Sequence, residues 1–168
     1  MERAKRPPPA RECAVPAFDW AGLGQIDFAD AFSIELRAPV DARDAARRLV
    51  AAAPWWIKAL MVARNAIVVP FGLQGSRAGT GTTEVSANTS VGPFRVVRAD
   101  EAEVLVATDD RHLDGRLALV TRGGRELVAI TAVSFNGRLG RGYFAIVKPF
   151  HRRIVPALLR SVARQLDG

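Results

Sequence analysis

The stretch that decides the fold is LALVTRGGRELVAITAVSF, residues 117–135. Two runs rich in apolar and β-branched residues, 117–121 and 126–135, flank the adjacent pair Gly123 and Gly124. Runs of this composition predict strands, and two glycines in succession accept the positive φ angles that a tight hairpin turn requires. The stretch therefore predicts a β-hairpin, and the other elements can be placed on either side of it.

Upstream of the hairpin, two shorter runs at 94–98 and 103–108 predict further strands, with a turn at Asp100 and Glu101 between them. An earlier run beginning at Phe28 alternates large apolar residues with small or charged ones, which predicts another strand. Asp41 is a suitable N-cap for a helix, and Pro54 suits the first turn of a second one.

Downstream, residues 143–147 predict either a last strand or a segment that leads directly into the final helix. That helix is predicted from apolar residues at steps of four, beginning at Phe150 and ending at Leu166. Pro149 suits its first turn, whereas Pro156 lies inside it and predicts a kink. Residues 1–15, with three consecutive prolines, predict a disordered or loosely attached tail before one domain at 16–168.

Strands and helices are segregated along the chain, which predicts an α+β fold. The order is one strand, two short helices, a run of antiparallel strands and a long C-terminal helix. It is similar to the helix-grip architecture of the START and pollen-allergen-like (SRPBCC) superfamily. That similarity implies a curved antiparallel sheet wrapped around the C-terminal helix, with a cavity between them.

Three stretches carry a closer resemblance. They are Trp55-Trp56 with residues 60–65, then residues 109–114, then residues 140–144 leading to 149–152. Together they resemble the bacterial domain of unknown function family twenty-eight sixty-seven, over roughly residues 20–166. Some members of that family follow a nucleotide-binding reductase module, which implies a possible reductase partner. The family brings no established activity and no cofactor.

Composition excludes several classes of protein. The lone Cys13 excludes an internal disulfide and multi-cysteine zinc patterns, and no G-x-S-x-G or phosphate-loop motif occurs. The absence of a signal segment and of an apolar run of spanning length predicts a cytoplasmic protein without a membrane span. The chain has 24 Lys and Arg residues and 17 Asp and Glu residues. Residues 134–168 contain seven of the basic residues and only one acidic residue.

The densest ionisable cluster is residues 109–114, where His112 could act as an acid or base oriented by Asp110 or Asp114. A charged hairpin connection explains the same cluster without chemistry. His151 has two interpretations as well, a cavity-facing residue or a helix N-terminal residue bonded to local backbone. Two histidines without helical spacing or a cysteine pair do not predict a metal site.

The remaining site candidates interrupt or flank apolar segments. Arg64 and Asn65 could hold a ligand, although a buried arginine also suits a structural ion pair. Trp56 fits the apolar stripe of the second helix, while its neighbour Trp55 could line a pocket or meet a partner. Tyr143 is the sole tyrosine and could close a cavity. The apolar ligand-lining candidates are Trp55, Trp56 and Phe150, and the polar ones are Arg64, Asn65, His112, Tyr143 and His151.

The sequence therefore predicts a helix-grip domain that binds a small, largely apolar ligand that can carry an anionic group, without a cofactor. One alternative is a cyclase- or hydratase-like enzyme that uses His112 or His151 as its acid or base. A second alternative is nucleic-acid association through Arg153, Arg160 and Arg164, a predicted cationic face of the last helix. Exposed aromatics that stack bases are not interleaved there, so nucleic acid is the least favoured partner.

Overall fold

A computed structural model describes residues 8–51, 54–57, 59, 62, 89–91 and 94–167. The α+β prediction is confirmed: the sheet is antiparallel and curved, and the chain ends in a long helix. Strands and helices are numbered here in chain order. The strands are β1 (Arg11–Cys13), β2 (Phe28–Glu35), β3 (Ser90–Val91), β4 (Phe94–Ala99), β5 (Glu103–Asp109), β6 (Leu113–Arg122) and β7 (Glu126–Phe135), and the helices are α1 (Ala42–Ala51) and α2 (Arg138–Asp167).

The strands pair in the order β1-β2-β7-β6-β5-β4-β3. The predicted hairpin forms between β6 and β7, and Gly123 and Gly124 take φ angles of 56° and 68° at its turn. Strand β6 begins at Leu113, four residues before the predicted start. Since β2 lies beside β7, the first long strand and the last strand are neighbours in the middle of the fold.

Helix α1 follows from local sequence chemistry. The side chain of Asp41 accepts a hydrogen bond from the backbone N–H of Asp44 at 2.8 Å, which is the N-cap that the sequence predicts. Residues 55–57, 59 and 62 are helical, as expected for the second short helix. The remaining predicted positions of that helix lie outside the described residues.

Helix α2 begins at Arg138, 11 residues before the predicted first turn at Pro149. The interpretation of 143–147 as a strand is therefore wrong, since this segment is helical. Gly140 explains the earlier start: it lies so close to the backbone carbonyl of His112 that a Cβ there would overlap the oxygen. Because the first two turns of α2 contain glycines, helix propensity alone disfavours them. This contact and the burial of Phe144 stabilise these turns.

The two prolines do not end α2. A proline has no N–H and so removes the hydrogen bond to the carbonyl four residues earlier. The freed carbonyls are those of Ala145 for Pro149 and Arg152 for Pro156. Both of those residues are exposed, so water can satisfy the freed carbonyls. The helix therefore continues past Pro149 and Pro156 to Asp167.

Two apolar clusters hold the fold together, one on each face of the sheet. Val155, Leu159 and Val162 of α2 pack with α1 against the face that carries Phe32 and Ile34. The opposite cluster is centred on Leu105, Val128 and Ile130, and Phe18 and Trp20 of the N-terminal segment pack against it. The sheet is thus covered on both faces.

The N-terminal segment differs from the prediction of a loose tail over residues 1–15. Residues 11–13 form β1, in which Glu12 is the register partner of Phe32 on β2. Edge pairing of this kind needs only backbone donors and acceptors, so it leaves little trace in side-chain patterning. Residues 1–7 lie outside the described residues.

Candidate functional site

The inward face of β2 carries one residue that breaks its apolar pattern. Phe28, Asp30, Phe32 and Ile34 alternate along the strand and therefore point to the same side of the sheet. Phe32 and Ile34 belong to the core beneath the helices, which places Asp30 on the face that α2 covers. Only 6% of Asp30 is exposed.

Asp30 is paired with His151 of α2. The ring Nε2 of His151 lies 3.1 Å from Oδ1 of Asp30, and the His151 side chain is 14% exposed. An ionised carboxylate only accepts hydrogen bonds. When Asp30 is ionised, Nε2 of His151 therefore carries the hydrogen, and in a neutral ring Nδ1 is left as the acceptor. The pair thus holds the imidazole in one orientation and in one tautomer.

A second polar residue lies beside the pair. Thr131 of β7 is the register partner of Asp30, and partners in an antiparallel sheet project from the same face. Thr131 is 7% exposed. Its Oγ1 and the Oδ2 of Asp30 are both buried and have no hydrogen-bond partner within the described part of the chain.

A cluster of aromatic rings adjoins His151. The ring centroid of Phe28 lies 4.7 Å from that of Phe144, which in turn is 5.3 Å from Phe135. Phe28 also meets the His151 ring edge-on at 6.4 Å, and the ammonium group of Lys148 lies 5.0 Å from the Phe28 centroid. Asp30, Thr131 and His151, together with Phe28, Phe135 and Phe144, are called the α2 site below.

His112 lies in a different environment, in the connection from β5 to β6. It is 1% exposed, and its ring meets Tyr143 edge-on with centroids 4.8 Å apart. Its Nδ1 is 3.4 Å from Oδ2 of Asp110, without the geometry of a hydrogen bond, and neither ring nitrogen has a hydrogen-bond partner among the described residues.

The cluster at 109–114 makes mainly local contacts. The backbone N–H of Asp110 donates to the carbonyl of Leu113, and Asn136 donates through its side chain to the carbonyl of Asp110 at 2.9 Å. The carbonyl of His112 itself accepts from the backbone N–H of Asn136 and contacts Gly140. These contacts fit the interpretation of a structured connection that supports the start of α2.

The structure gives the two histidines of the predicted site different partners. His112 meets Tyr143, whereas His151 meets Asp30. Phe150 is 44% exposed, because α2 turns it away from the sheet. Trp55 is 80% exposed and Trp56 is half-buried. Arg64 and Asn65 lie outside the described residues.

Five residues of the α2 site were not predicted from the sequence, namely Asp30, Thr131, Phe28, Phe135 and Phe144. A signal was present for Asp30, because a charged residue at an inward position of an alternating strand is costly to bury without a partner. Thr131 occupies the same kind of position between Ala129 and Val133. Nothing in the sequence showed that His151, on a helix, would be the partner of Asp30.

A cleft of about 160 Å³ lies at another place on the molecule. Its lining comes from the N-terminal segment and the ends of β2 and β7, namely Pro8, Pro9, Arg11, Ser33, Ile34, Glu35 and Glu126. Glu35 and Glu126 are register partners, so two carboxylates stand side by side on one face there. This cleft shares no lining residue with the α2 site.

No group of three or more His, Cys, Asp or Glu side chains placed to hold a metal ion occurs among the residues described above. Within the same part of the chain, no helix is long and apolar enough to cross a membrane.

The fold and these contacts define a helix-grip-like α+β domain with a buried carboxylate–imidazole pair beneath its C-terminal helix. The family described as protein of unknown function DUF2867 matches residues 22–158, and the chain belongs to that family. No curated protein and no solved structure matches the chain.

Proposed function

We propose that this domain binds a small, largely apolar molecule at the α2 site. One observation carries the proposal: Asp30 Oδ2 and Thr131 Oγ1 are buried side by side without partners in the described part of the chain. A buried polar atom without a hydrogen bond costs about 1–3 kcal/mol, so natural proteins retain few of them. A ligand that supplies the missing hydrogen bonds removes that cost.

The chemistry of the two atoms selects the polar group of the ligand. A carboxylate oxygen accepts hydrogen bonds, and a threonine hydroxyl both donates and accepts them. A hydroxyl, amine or amide N–H therefore fits between them, whereas an anionic group would face the charge of Asp30. The aromatic rings of Phe28, Phe135 and Phe144 suit an apolar body. A hydrogen-bond donor thus replaces the anionic group considered from the sequence.

Native mass spectrometry of freshly purified protein tests the proposal, with Thr131→Val and Thr131→Ser as a matched pair. Wild type and Thr131→Ser carry a co-purified small molecule, and Thr131→Val carries less of it because it lacks the hydroxyl. Thr131→Val nevertheless unfolds at the same or a higher denaturant concentration, since it buries no unpaired oxygen. A bare wild-type mass, or full occupancy in Thr131→Val, contradicts the proposal.

A second candidate function is enzymatic, with His151 as the acid or base. The observation that favours it is the 3.1 Å contact with Asp30, which orients the imidazole and leaves Nδ1 as the proton acceptor. His112 is less suited to this role, because it is 1% exposed and packed against Tyr143.

His151→Gln tests the enzymatic candidate, since glutamine keeps a hydrogen-bonding side chain but cannot act as a base at neutral pH. A hydratase leaves substrate on His151→Gln and product on wild type, and the two bound masses then differ by one water. A cyclase leaves two molecules of equal mass that chromatography separates. The same molecule on both proteins assigns His151 to binding alone.

A further inference from the structure

The outward face of α2 exposes a row of large apolar side chains. Leu139, Ile146 and Phe150 are 57%, 69% and 44% exposed. They follow each other at helical steps of seven and four, which places them on one side of the helix. The side chains that pack towards the sheet, Phe144, Val155 and Leu159, lie on the opposite side. The row therefore lies on the side of α2 that faces away from the sheet.

The same side of the helix continues as a basic row. Arg153, Arg160 and Arg164 follow Phe150 at steps of three, seven and four. Neither Arg153 nor Arg160 lies within ion-pair distance of a carboxylate in the described part of the chain. Elsewhere on α2, Arg152 pairs with Glu12, and Arg141 lies 3.8 Å from Asp27. Arg153, Arg160 and Arg164 thus place three cations on the side that carries the apolar row.

The sequence predicts Arg153, Arg160 and Arg164 as a cationic face of this helix. The structure shows that it is continuous with an apolar row of its own. We call Leu139, Ile146, Phe150, Arg153, Arg160 and Arg164 the outer stripe of α2. At 1.5 Å per residue, the stripe is on the order of 40 Å long.

The charge of α2 decides which partner this stripe fits. The helix has seven basic residues and one acid, Asp167. A second copy of the chain would bring two such helices together, and like charges oppose that contact. A nucleic acid would use the arginines and Phe150, which can stack on a base, but would leave Leu139 and Ile146 without a role, since aliphatic side chains neither pair with phosphate nor stack on bases.

An anionic lipid surface uses both halves of the stripe. Apolar side chains of a helix that lies in the plane of a membrane enter the boundary of the acyl chains, while arginines meet the lipid phosphates. We propose that the outer stripe of α2 docks this domain on membranes that carry anionic phospholipids.

Vesicle sedimentation tests this proposal directly. One set of vesicles contains equal parts of phosphatidylcholine and phosphatidylglycerol, and the other contains phosphatidylcholine alone. Wild type sediments with the anionic vesicles at low salt and is released by added salt, because the arginine contribution is screened. Ile146→Asp and Phe150→Asp each weaken binding by about tenfold or more, since each places a carboxylate where an apolar group is buried in lipid.

Val50→Asp is the matched control. Val50 is a helical residue with 45% exposure on α1, outside the stripe, and the variant keeps wild-type binding. Arg153→Gln and Arg160→Gln weaken binding at low salt and lose this effect at high salt. Circular dichroism melting of each variant verifies that it is folded.

Four results would overturn the proposal. The first is that the wild type does not sediment with anionic vesicles, and the second is that it binds vesicles of phosphatidylcholine alone equally well. The third is that Val50→Asp loses as much binding as the stripe variants. The fourth is that the protein forms a dimer in solution and that Ile146→Asp dissociates it. Wild type that binds duplex or single-stranded oligonucleotides but not vesicles would assign the stripe to nucleic acid instead.

Discussion

His151 Nε2 lies 3.1 Å from Asp30 Oδ1, although 121 residues separate the two in the chain. The contact joins α2 to the inward face of β2, where the Phe28 ring also meets the His151 ring edge-on. Neither residue can be removed without affecting the other, because the one that remains is buried and has lost its partner. The pair is therefore both a structural link and the centre of the proposed ligand site.

A double-mutant cycle measures this coupling. We expect Asp30→Ala and His151→Ala each to lower the free energy of unfolding, and the double variant to lose about 1–3 kcal/mol less than the sum of the two. Urea unfolding of the four proteins supplies the values. Losses that add within about 0.5 kcal/mol would show that the 3.1 Å contact contributes nothing to folding.

Gly140 sets the position of the first turn of α2 against His112. Gly140→Ala places a Cβ onto the His112 carbonyl oxygen, and we expect a loss of about 2 kcal/mol or more because backbone must move on one side or the other. Gly142→Ala is the control, since no atom lies within 4 Å of its added Cβ. Removing a helical glycine there raises stability by about 0.5–1 kcal/mol. Thermal melting distinguishes the two variants by the sign of the change, and equal effects would refute the close approach.

Trp20 covers the outer face of the sheet together with Phe18, and their ring centroids are 4.7 Å apart. Because Trp20 is half-buried, Trp20→Ala is expected to cost about 2 kcal/mol, less than a fully buried aromatic residue. Trp55→Ala removes the same side chain from an 80% exposed position and changes stability by less than about 0.5 kcal/mol. Guanidinium unfolding followed by circular dichroism compares them. Equal effects would mean that the N-terminal segment does not cover the sheet in solution.

Arg98 ties that segment to β5. It contacts Glu103 at 2.6 Å and Asp19 at 3.2 Å, and the hydrogen bond with Glu103 raises the pKa of Arg98 above its ordinary value. A raised pKa of a cationic group stabilises the fold at every pH below the ordinary arginine pKa, and this stabilisation is lost only as the pH rises through the folded-state pKa. Salt is therefore a better test than pH.

Because the Arg98 side chain is 36% exposed, we expect Arg98→Gln to cost about 0.5–1 kcal/mol at low salt and less at high salt. Chemical unfolding at two ionic strengths measures the difference. A loss that does not depend on salt would assign the effect to packing of the Arg98 side chain on the Phe18 ring, whose centroid lies 5.9 Å from it.

Local rules account for the elements that the sequence predicts well. The β6–β7 hairpin follows from two glycines that accept positive φ between strand-forming runs, and α1 follows from the Asp41 cap. These features depend on neighbours within a few residues. They can therefore be read from the chain before any tertiary contact is known.

Three other features depend on contacts between distant segments. They are the early start of α2, the partners of the two histidines and the cover over the outer face of the sheet. The first turns of α2 form because Gly140 fits against His112, and His151 faces Asp30 because the helix lies across β2. By itself, the sequence determined the α+β class, the central hairpin, the α1 cap and the concentration of charge at the C-terminal end. Only the tertiary structure decided what the buried side of α2 meets, because this depends on packing against segments that are distant in the chain, among them β2 and α1.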